Sequence, residues 1–360
     1  MGTCDVDSGD APSEIGEPRM STAFVLMTAM PPTKGHLHLI QFASHVADET
    51  CVIVGTQPGE PYVLERIAAI STAAQTMVGV RVVNIHKTLP QTPAGNPGFW
   101  DMWKQFLIEA GCVGEGDFIV ASEPYGEKLA EVTGSVFVPF DIGREMTATR
   151  ATNVRKEPQA RFAEMLPEFQ RDIRQRVTIF GAESTGKTTL SKALAQSINA
   201  HWLPEWARPY LEQLETPGVD DARMQAIWRG QRALQKQGLD LIDHPFIVQD
   251  TDLFATVGFW DYWHPGETPV QLVADAQADK SDLYLLTQSN IPFEADPQRY
   301  GIDVRETTDD YWIELAERHG LNYQILHESD PRERLSEASE LAVAHFGASV
   351  PLAFDRVDND

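Results

Sequence analysis

The stretch "VTIFGAESTGKTTLSKALAQSI", residues 177–198, determines the fold of the second half of this chain. An apolar run ends at Gly181, a short loop follows, and a helical pattern begins at Lys187. The loop fits the pattern G-x-x-x-x-G-K-[ST], in which backbone amides and a helix N-terminus bind a polyphosphate. The order of strand, loop and helix therefore predicts a P-loop that binds ATP.

Within this loop, Lys187 is predicted to neutralise the outer phosphates and Thr188 to offer its hydroxyl to magnesium. The alternative is a glycine-rich turn without a ligand, which the flanking strand and helix disfavour. The predicted ATP-binding residues are Gly181, Glu183, Ser184, Thr185, Gly186, Lys187, Thr188 and Thr189.

Acidic residues at a strand end provide the expected metal anchor. The apolar run "FIVQD" (246–250) ends in Asp250, and Asp252 follows two residues later. A carboxylate near the magnesium is a regular part of P-loop sites, so we assign Asp250 and Thr188 as metal ligands. An ordinary acidic cap at a strand end explains the same residues equally well.

A further strand pattern, "HWLP", is followed by "EWARPY" (205–210). Glu205 and Arg208 then lie at the carboxyl edge of the same sheet, where ligands bind in parallel sheets. Glu205 is predicted to accept a proton from a substrate hydroxyl, and Arg208 to hold phosphate; the alternative is an ion pair at a helix start. Asp252, Arg299 and Arg305 complete the predicted substrate and lid residues, although loop arginines are often plain surface charges.

Strand and helix patterns alternate along both halves of the chain. This alternation predicts an α/β protein with two doubly wound parallel sheets. The predicted strands of the first half are 24–30, 51–56, 80–86, 117–121 and 135–140, separated by helices such as 64–78 and 100–110; those of the second half are 177–181, 201–204, 246–250, 282–287 and 322–326. We predict a disordered acidic tail (1–20), a first α/β domain (21–172), a second α/β domain with the P-loop (173–350) and a second acidic tail (351–360).

Composition limits the classes of partner. The 53 acidic and 29 basic residues give a formal net charge of -24, which disfavours binding to nucleic acid or an anionic membrane. The three cysteines are widely spaced, as in reduced cytosolic proteins, and the polar N-terminus has no signal-peptide core. We therefore expect a cytoplasmic enzyme with small-molecule partners, no nucleic acid and no membrane, and leave a homo-oligomer open.

The segments "GAESTGKTTL", "PEWARPY", "VQDTDLFAT" and "DPQRYG" resemble, in that order, the ribosylnicotinamide kinase domain of NadR-type proteins. The similarity covers about residues 175–345. It implies that ATP phosphorylates the ribose 5′-hydroxyl of nicotinamide riboside, with Lys187, Glu205 and Asp250 as catalytic residues. The alternative is a P-loop kinase for another nucleoside.

The first half resembles the nicotinamide mononucleotide adenylyltransferase domain that precedes this kinase in the same family. "MTAMPPTKGH" (27–36) is similar to G-x-F-x-P-x-H-x-G-H, with Thr33 at the first histidine position and His36 at the second. "TRATNVR" (149–155) is similar to I-S-x-T-x-x-R, and "ASEPYGEKL" (121–129) to a segment that helps to build the nucleotide site. The resemblance implies catalysis by His36 and nucleotide binding by Thr28, Thr33, Gly35, His36, Ser122, Glu123, Arg150, Thr152 and Arg155.

Together, these resemblances predict a bifunctional enzyme of NAD biosynthesis that uses ATP and Mg²⁺ in both steps. The kinase makes nicotinamide mononucleotide, and the transferase joins it to AMP from ATP, giving NAD and pyrophosphate. We expect no DNA-binding domain, because only an acidic segment of about 20 residues precedes the first strand. The alternatives are a P-loop nucleoside kinase with a vestigial transferase domain, and a nucleotide-sensing regulator without turnover.

Overall fold

The structure, a computed structural model, describes residues 19–88, 95–214, 220–292 and 307–348. The chain packs as two compact units. The first consists of the described residues through Ala29 together with Lys34–Val63 and Ile70–Ala148. The second consists of Met30–Thr33, Leu64–Ala69 and the described residues from Thr149 onward. The predicted C-terminal tail and all but the last two residues of the predicted N-terminal tail lie outside the described residues.

The first unit contains a sheet of five parallel strands in the order β3-β2-β1-β4-β5. Its central strands are mostly apolar because helices cover both faces of the sheet. From β1 the chain runs outwards through β2 to β3, and it then crosses to β4 and β5 on the other side of β1. The carboxyl edge between β1 and β4 is therefore the switch point. The strands are β1 (Thr22–Met27), β2 (Glu49–Thr56), β3 (Val80–His86), β4 (Phe118–Ala121) and β5 (Val136–Pro139); the helices are α1 (Lys34–Ala43), α2 (Val63–Ala74), α3 (Phe99–Glu109) and α4 (Tyr125–Thr133).

One predicted boundary in this sheet is wrong. The apolar run 24–30 predicted a strand to Met30, but β1 ends at Met27. Ala29 adopts a left-handed φ of 46°, which cannot continue an extended strand. The residues after β1 instead form an irregular turn that leads into α1. Helix α2 also ends earlier than predicted, at Ala74 rather than 78.

The second unit contains another sheet of five parallel strands, in the order β10-β9-β6-β8-β7. The central strand β6 pairs with both β8 and β9, so its carboxyl end lies at the switch point of this sheet. The strands are β6 (Gln175–Gly181), β7 (His201–Leu203), β8 (Phe246–Asp250), β9 (Leu283–Thr287) and β10 (Tyr323–Leu326).

Helices surround this second sheet. They are α5 (Ala151–Lys156), α6 (Pro167–Ile173), α7 (Lys187–Ser197), α8 (Ala207–Leu211), α9 (Asp221–Leu241), α10 (Leu253–Trp263), α11 (Val270–Ala278), α12 (Asp309–Arg318) and α13 (Pro331–Ala348), with a short 3₁₀ turn at Phe162–Glu164. Among the described helices, none is both long and apolar enough to cross a membrane.

Strand β6 packs against different cores on its two faces. On one face Phe180 meets the edges of Trp312 and Tyr284, with ring centroids 4.9 and 5.7 Å apart. On the other face Val177 and Ile179 belong to an aliphatic cluster that includes residues of α7 and α13. A strand buried on both faces in this way fixes the position of the loop that follows it.

The predicted fold class is confirmed, since both sheets are parallel and alternate with helices. Residues 149–172, which we assigned to the first domain, pack with the second unit. The division into two catalytic domains at 172/173 stays a prediction.

Candidate functional site

The loop between β6 and α7 has the bent backbone that a phosphate site requires. Gly181 has a φ of 133°, Ser184 of 54° and Gly186 of 78°. A Cβ atom on Gly181 would lie 2.7 Å from the carbonyl oxygen of Thr287, so this position requires glycine. Loops that alternate between left-handed and right-handed residues turn successive N–H groups towards one concavity, which binds anions.

Lys187 lies across this loop. Its Nζ donates hydrogen bonds to the carbonyl oxygens of Gly181, at 3.0 Å, and Ala182, at 2.6 Å. Phosphate oxygens are charged acceptors and bind an ammonium group more strongly than carbonyl oxygens do. The residue is therefore placed to exchange these contacts for the outer phosphates of a bound nucleotide.

Asp250 fits the predicted role as a metal anchor. It is 2% exposed, and its Oδ1 atom has no hydrogen-bond partner among the described residues. Burial raises the pKa of this carboxyl group, whereas the hydrogen bond from Thr188 and the charges of Lys187 and Arg208 oppose the rise. A buried carboxylate oxygen without a partner, beside a threonine hydroxyl, is a suitable donor set for Mg²⁺.

This donor set is small, as expected for magnesium. The described residues contain no group of three or more His, Cys, Asp or Glu side chains that could hold a metal ion. Magnesium at nucleotide sites commonly takes one or two protein ligands and completes its shell with phosphates and water. Asp250 and Thr188 are thus the residues that would hold it.

Asp252 has a different environment from Asp250. Its carboxylate caps α10 by accepting a hydrogen bond from the Phe254 amide at 2.9 Å and also accepts one from the Tyr284 hydroxyl at 2.6 Å. Thr251, with a left-handed φ of 65°, lies between the two acids. Both oxygens of Asp252 are engaged within the protein, and its predicted role towards substrate stays a prediction.

Asp252→Asn should change the pH dependence of stability. Burial raises the pKa of Asp252 to about 6 from an ordinary value of 3.8. The unfolded chain therefore loses this proton at lower pH than the folded chain, and the folded state loses stability as pH rises from about 4 to 6. Between pH 5 and 7.5 the wild type should lose roughly 1–2 kcal/mol more than the variant.

Urea unfolding of both proteins at several pH values measures this difference. Asparagine has nearly the same shape. Its Oδ1 atom can still accept from the Phe254 amide, and its NH2 group can donate to the Tyr284 hydroxyl oxygen, so the variant should fold. Parallel curves of unfolding free energy against pH would show that Asp252 has no raised pKa.

The segment that carries Glu205 and Arg208 is held firmly at the carboxyl edge of the sheet. The Trp206 amide donates to Oε1 of Gln231 at 2.9 Å, and the Trp206 ring stacks on Tyr210 with centroids 4.8 Å apart. On α9, a Cβ atom at Gly230 would lie 2.2 Å from the Trp206 ring. Glu205 is half-buried, and the charge of Arg208 opposes the rise that burial causes in the pKa of Asp250.

Burial excludes two aromatic residues near the site from stacking on a substrate ring. Phe254 is fully buried and Trp260 is 6% exposed, because α10 packs into the core beside Trp312. Trp206 and Tyr210 are half-buried at the edge of the site. The predicted residues Arg299 and Arg305 lie outside the described residues.

Two residues that sequence reasoning missed contact the phosphate loop. Thr307 donates to Oε2 of Glu183 at 2.7 Å, and the Trp312 indole donates to the Thr307 hydroxyl at 2.8 Å. Arg334, on α13, donates to the carbonyl oxygen of Thr185 at 3.0 Å. Both residues lie more than 100 positions beyond the loop, and no local pattern marks them.

In the first unit, four predicted nucleotide-binding residues lie at the switch point. Gly35 and His36 are half-buried in the first turn of α1, and Thr28 is half-buried after β1. Ser122 follows the neighbouring strand β4 and is half-buried. The N-terminus of α1 adds a partial positive charge, so this edge suits an anionic ligand. Glu123, next to Ser122, is exposed.

Other residues of the predicted transferase motifs belong to the second unit. Thr33 is 1% exposed and forms an isolated bridge with Met165. Arg155 donates to the Met30 carbonyl oxygen and, at 3.0 Å, to the Thr152 hydroxyl. Arg150 is exposed. The nucleotide-binding roles of Thr33, Arg150, Thr152 and Arg155 stay predictions.

Known proteins resemble the chain over both units. Residues 176–334 match the family described as AAA domain. The "Trifunctional NAD biosynthesis/regulator protein NadR" of Escherichia coli is 27% identical over 338 residues, covering 86% of this chain and 80% of that protein. The protein of the same name from Salmonella typhimurium is 26% identical, covering 88% of this chain and 81% of its own length.

The fold comparison agrees with the sequence comparison. A crystal structure of NadR protein in complex with NR superposes with a TM-score of 0.61 at 20% identity, covering 92% of this chain and 98% of that one. A structure of NadR protein with NAD and AMP-PNP gives the same TM-score and identity, with 91% and 97% coverage. These structures show that the chain shares its fold with them.

Proposed function

We propose that this NadR-like chain is a bifunctional enzyme of NAD biosynthesis, which phosphorylates nicotinamide riboside and then adenylylates the mononucleotide. The observation that carries the kinase proposal is the group formed by Lys187, Thr188 and Asp250. The Oδ1 atom of Asp250, which has no hydrogen-bond partner among the described residues, and the Thr188 hydroxyl suit Mg²⁺. The Lys187 ammonium group suits the phosphates of ATP. The similarity to NadR proteins supports the choice of nicotinamide riboside as substrate.

In the proposed kinase reaction, the protein positions and neutralises groups and forms no covalent bond to the substrate. The loop amides and Lys187 hold the β- and γ-phosphates of ATP. Thr188 and Asp250 would hold magnesium, which when bound would neutralise charge on those phosphates. Glu205 accepts the proton of the ribose 5′-hydroxyl as its oxygen attacks the γ-phosphorus. Arg208 binds the phosphoryl group as its bond to ADP breaks, and ADP leaves.

Glu205→Gln should lower the rate of riboside phosphorylation by about 10²- to 10⁴-fold, the usual contribution of a general base. ATP affinity should change little, because the amide keeps the size of the carboxylate and loses only its basicity. Steady-state kinetics with both substrates varied measure kcat and the two KM values separately. Glu212→Gln, at an exposed position beyond α8, is the matched control and should behave as the wild type.

The opposite pattern would contradict this role for Glu205. If ATP binding collapses while turnover at saturation is kept, Glu205 supports the structure of the site and another group accepts the proton.

For the transferase reaction we propose His36, Gly35 and the α1 N-terminus as the phosphate-binding group. His36 donates a hydrogen bond to the phosphates of ATP while the mononucleotide phosphate attacks the α-phosphorus and pyrophosphate leaves. Gly35 allows close approach of the backbone. The support is their position at the carboxyl edge of β1, at the switch point of a parallel sheet.

One experiment tests both halves. The protein is incubated with ATP, Mg²⁺ and nicotinamide riboside, and nicotinamide mononucleotide and NAD are measured over time. The proposal predicts that the mononucleotide appears first and is converted to NAD. Absence of both products would overturn the proposed function.

A second candidate is a riboside kinase whose transferase domain is inactive. The burial of Thr33, at a position where the resembled motif has a phosphate-binding histidine, favours it. In that case the mononucleotide accumulates without NAD, even when mononucleotide and ATP are added directly. A nucleotide sensor without turnover is disfavoured by the arrangement of Lys187 and Asp250.

A further inference from the structure

Arg334 is an arginine that is almost completely buried, at 4% exposure, although arginine is usually a surface residue. Its guanidinium group makes hydrogen bonds to three different loops. Nη1 donates to the carbonyl oxygen of Thr185 at 3.0 Å, Nε to that of Glu328 at 2.7 Å, and Nη2 to Oδ1 of Asn290. These loops follow β6, β10 and β9, at the carboxyl edge of the second sheet.

The same loops are braced by further contacts. The Asn290 amide group donates to the His327 carbonyl oxygen at 2.8 Å. The Glu337 carboxylate accepts from the backbone amides of His327 and Glu328 at 3.0 to 3.1 Å. These hydrogen bonds fix the two loops that hold the Arg334 side chain. The hydrogen bond from Arg334 to Thr185 in turn fixes the phosphate loop.

The Thr185 carbonyl group belongs to the peptide unit that also contains the Gly186 amide. In a planar trans peptide, the C=O and N–H bonds point in opposite directions. A donor that holds the carbonyl oxygen of Thr185 therefore sets the direction of the Gly186 N–H. The Thr185 side chain adds to this constraint by donating to the Ala182 carbonyl oxygen at 2.8 Å.

The three acceptors of Arg334 are neutral oxygens, so no carboxylate in this set neutralises the charge of the guanidinium group. This charge therefore acts on the peptide unit between Thr185 and Gly186. A guanidinium group stays protonated in proteins, and a cation bound to a carbonyl oxygen polarises the whole peptide unit. The Gly186 N–H becomes a stronger donor as a result. This is the type of donor that P-loops use for phosphates.

We propose that Arg334 is a positioning residue of the kinase site, which directs the Gly186 amide towards the phosphates of the bound nucleotide. This inference rests on the proposed function only for the identity of the nucleotide, ATP. It predicts a selective loss of affinity for the polyphosphate when Arg334 is replaced.

Arg334→Gln should raise the KM for ATP by about 10- to 100-fold, the cost of one hydrogen bond to a charged group. The KM for the riboside should stay within about threefold, since none of the three hydrogen bonds of Arg334 reaches Glu205 or Arg208. Arg334→Lys keeps the charge but cannot reach three acceptors, and should give an intermediate KM. Arg332→Gln removes an exposed charge on the same helix and should match the wild type.

Binding of AMP-PNP, followed by calorimetry, gives an independent readout. AMP-PNP binding that is present in the wild type and lost in Lys187→Ala is binding at the P-loop site. Arg334→Gln should weaken AMP-PNP binding at this site. Equal increases in both KM values, or unchanged ATP affinity in a folded Arg334→Gln protein, would overturn the inference. If Arg334→Gln does not fold, the same criteria apply to Arg334→Lys.

Failure of the inference and failure of the proposed function give different results. A wild-type protein that binds AMP-PNP but does not phosphorylate the riboside contradicts the proposed function. The comparison of AMP-PNP binding between the variants still tests Arg334 in that case.

Discussion

Lys187→Ala is expected to lower riboside phosphorylation by about 10³-fold or more, comparable to the loss of a catalytic charge or hydrogen-bond donor. The ammonium group lies over the phosphate loop, bonded to the Gly181 and Ala182 carbonyl oxygens. No other described lysine makes these contacts, so its loss leaves the outer phosphates without their point charge. The measurement is the rate of mononucleotide formation at saturating ATP.

The variant should remain folded, because Lys187 is half-buried at the start of α7 and its side chain is not part of the hydrophobic core. Lys192→Ala is the matched control. Lys192 is an exposed residue of the same helix, and its Nζ atom lies 4.6 Å from the centroid of the Trp202 ring. Kinase turnover near the wild-type rate in a folded Lys187→Ala protein would disprove the P-loop assignment.

His36→Ala is expected to lower NAD formation from mononucleotide and ATP strongly while riboside phosphorylation continues. The imidazole is the remaining histidine of the resembled motif and lies in the first turn of α1. Loss of one phosphate donor costs roughly 10²- to 10³-fold by analogy with oxyanion-hole donors. The experiment follows both products in one reaction, so the kinase rate serves as an internal standard.

His38→Ala is the matched control for this prediction. His38 is on the same helix, exposed, and hydrogen-bonded to the Thr147 hydroxyl at 2.9 Å. It should leave NAD formation unchanged. Equal NAD formation in His36→Ala and wild type would contradict the assigned role.

The gain-of-function variant Thr33→His would be a poor test of the transferase site. Thr33 is 1% exposed, so a larger imidazole at this position has to displace packed neighbours before it can reach a ligand. If Thr33→His does not increase NAD formation, the cause can be disturbed packing as well as the absence of a catalytic role for this position.

The fold was predictable because buried parallel strands are continuous apolar runs separated by helical patterns. The predicted strands 80–86 and 246–250 coincide with β3 and β8. The end of β1 was not predictable, since the apolar pattern continues through Ala29 and only the backbone shows the left-handed turn. Tertiary packing decided that boundary.

The candidate kinase site was predictable where its residues are neighbours in sequence or end adjacent strands. Lys187, Thr188 and Asp250 meet these conditions. The different environments of Asp250 and Asp252 could not be predicted from sequence, because they depend on the contacts with Thr188 and Tyr284. Thr307 and Arg334 were missed for the same reason: their contacts join segments that are far apart in the chain.

The packing of Trp206 on Gly230 constrains how chains of this type can diverge. A helix interior disfavours glycine by about 1 kcal/mol relative to alanine, yet an alanine at 230 would collide with the indole ring. The two positions are therefore expected to covary: any larger residue at 230 requires a smaller one at 206. Because Glu205 precedes Trp206, a single uncompensated change at 230 would reduce activity without altering a residue that contacts the substrate.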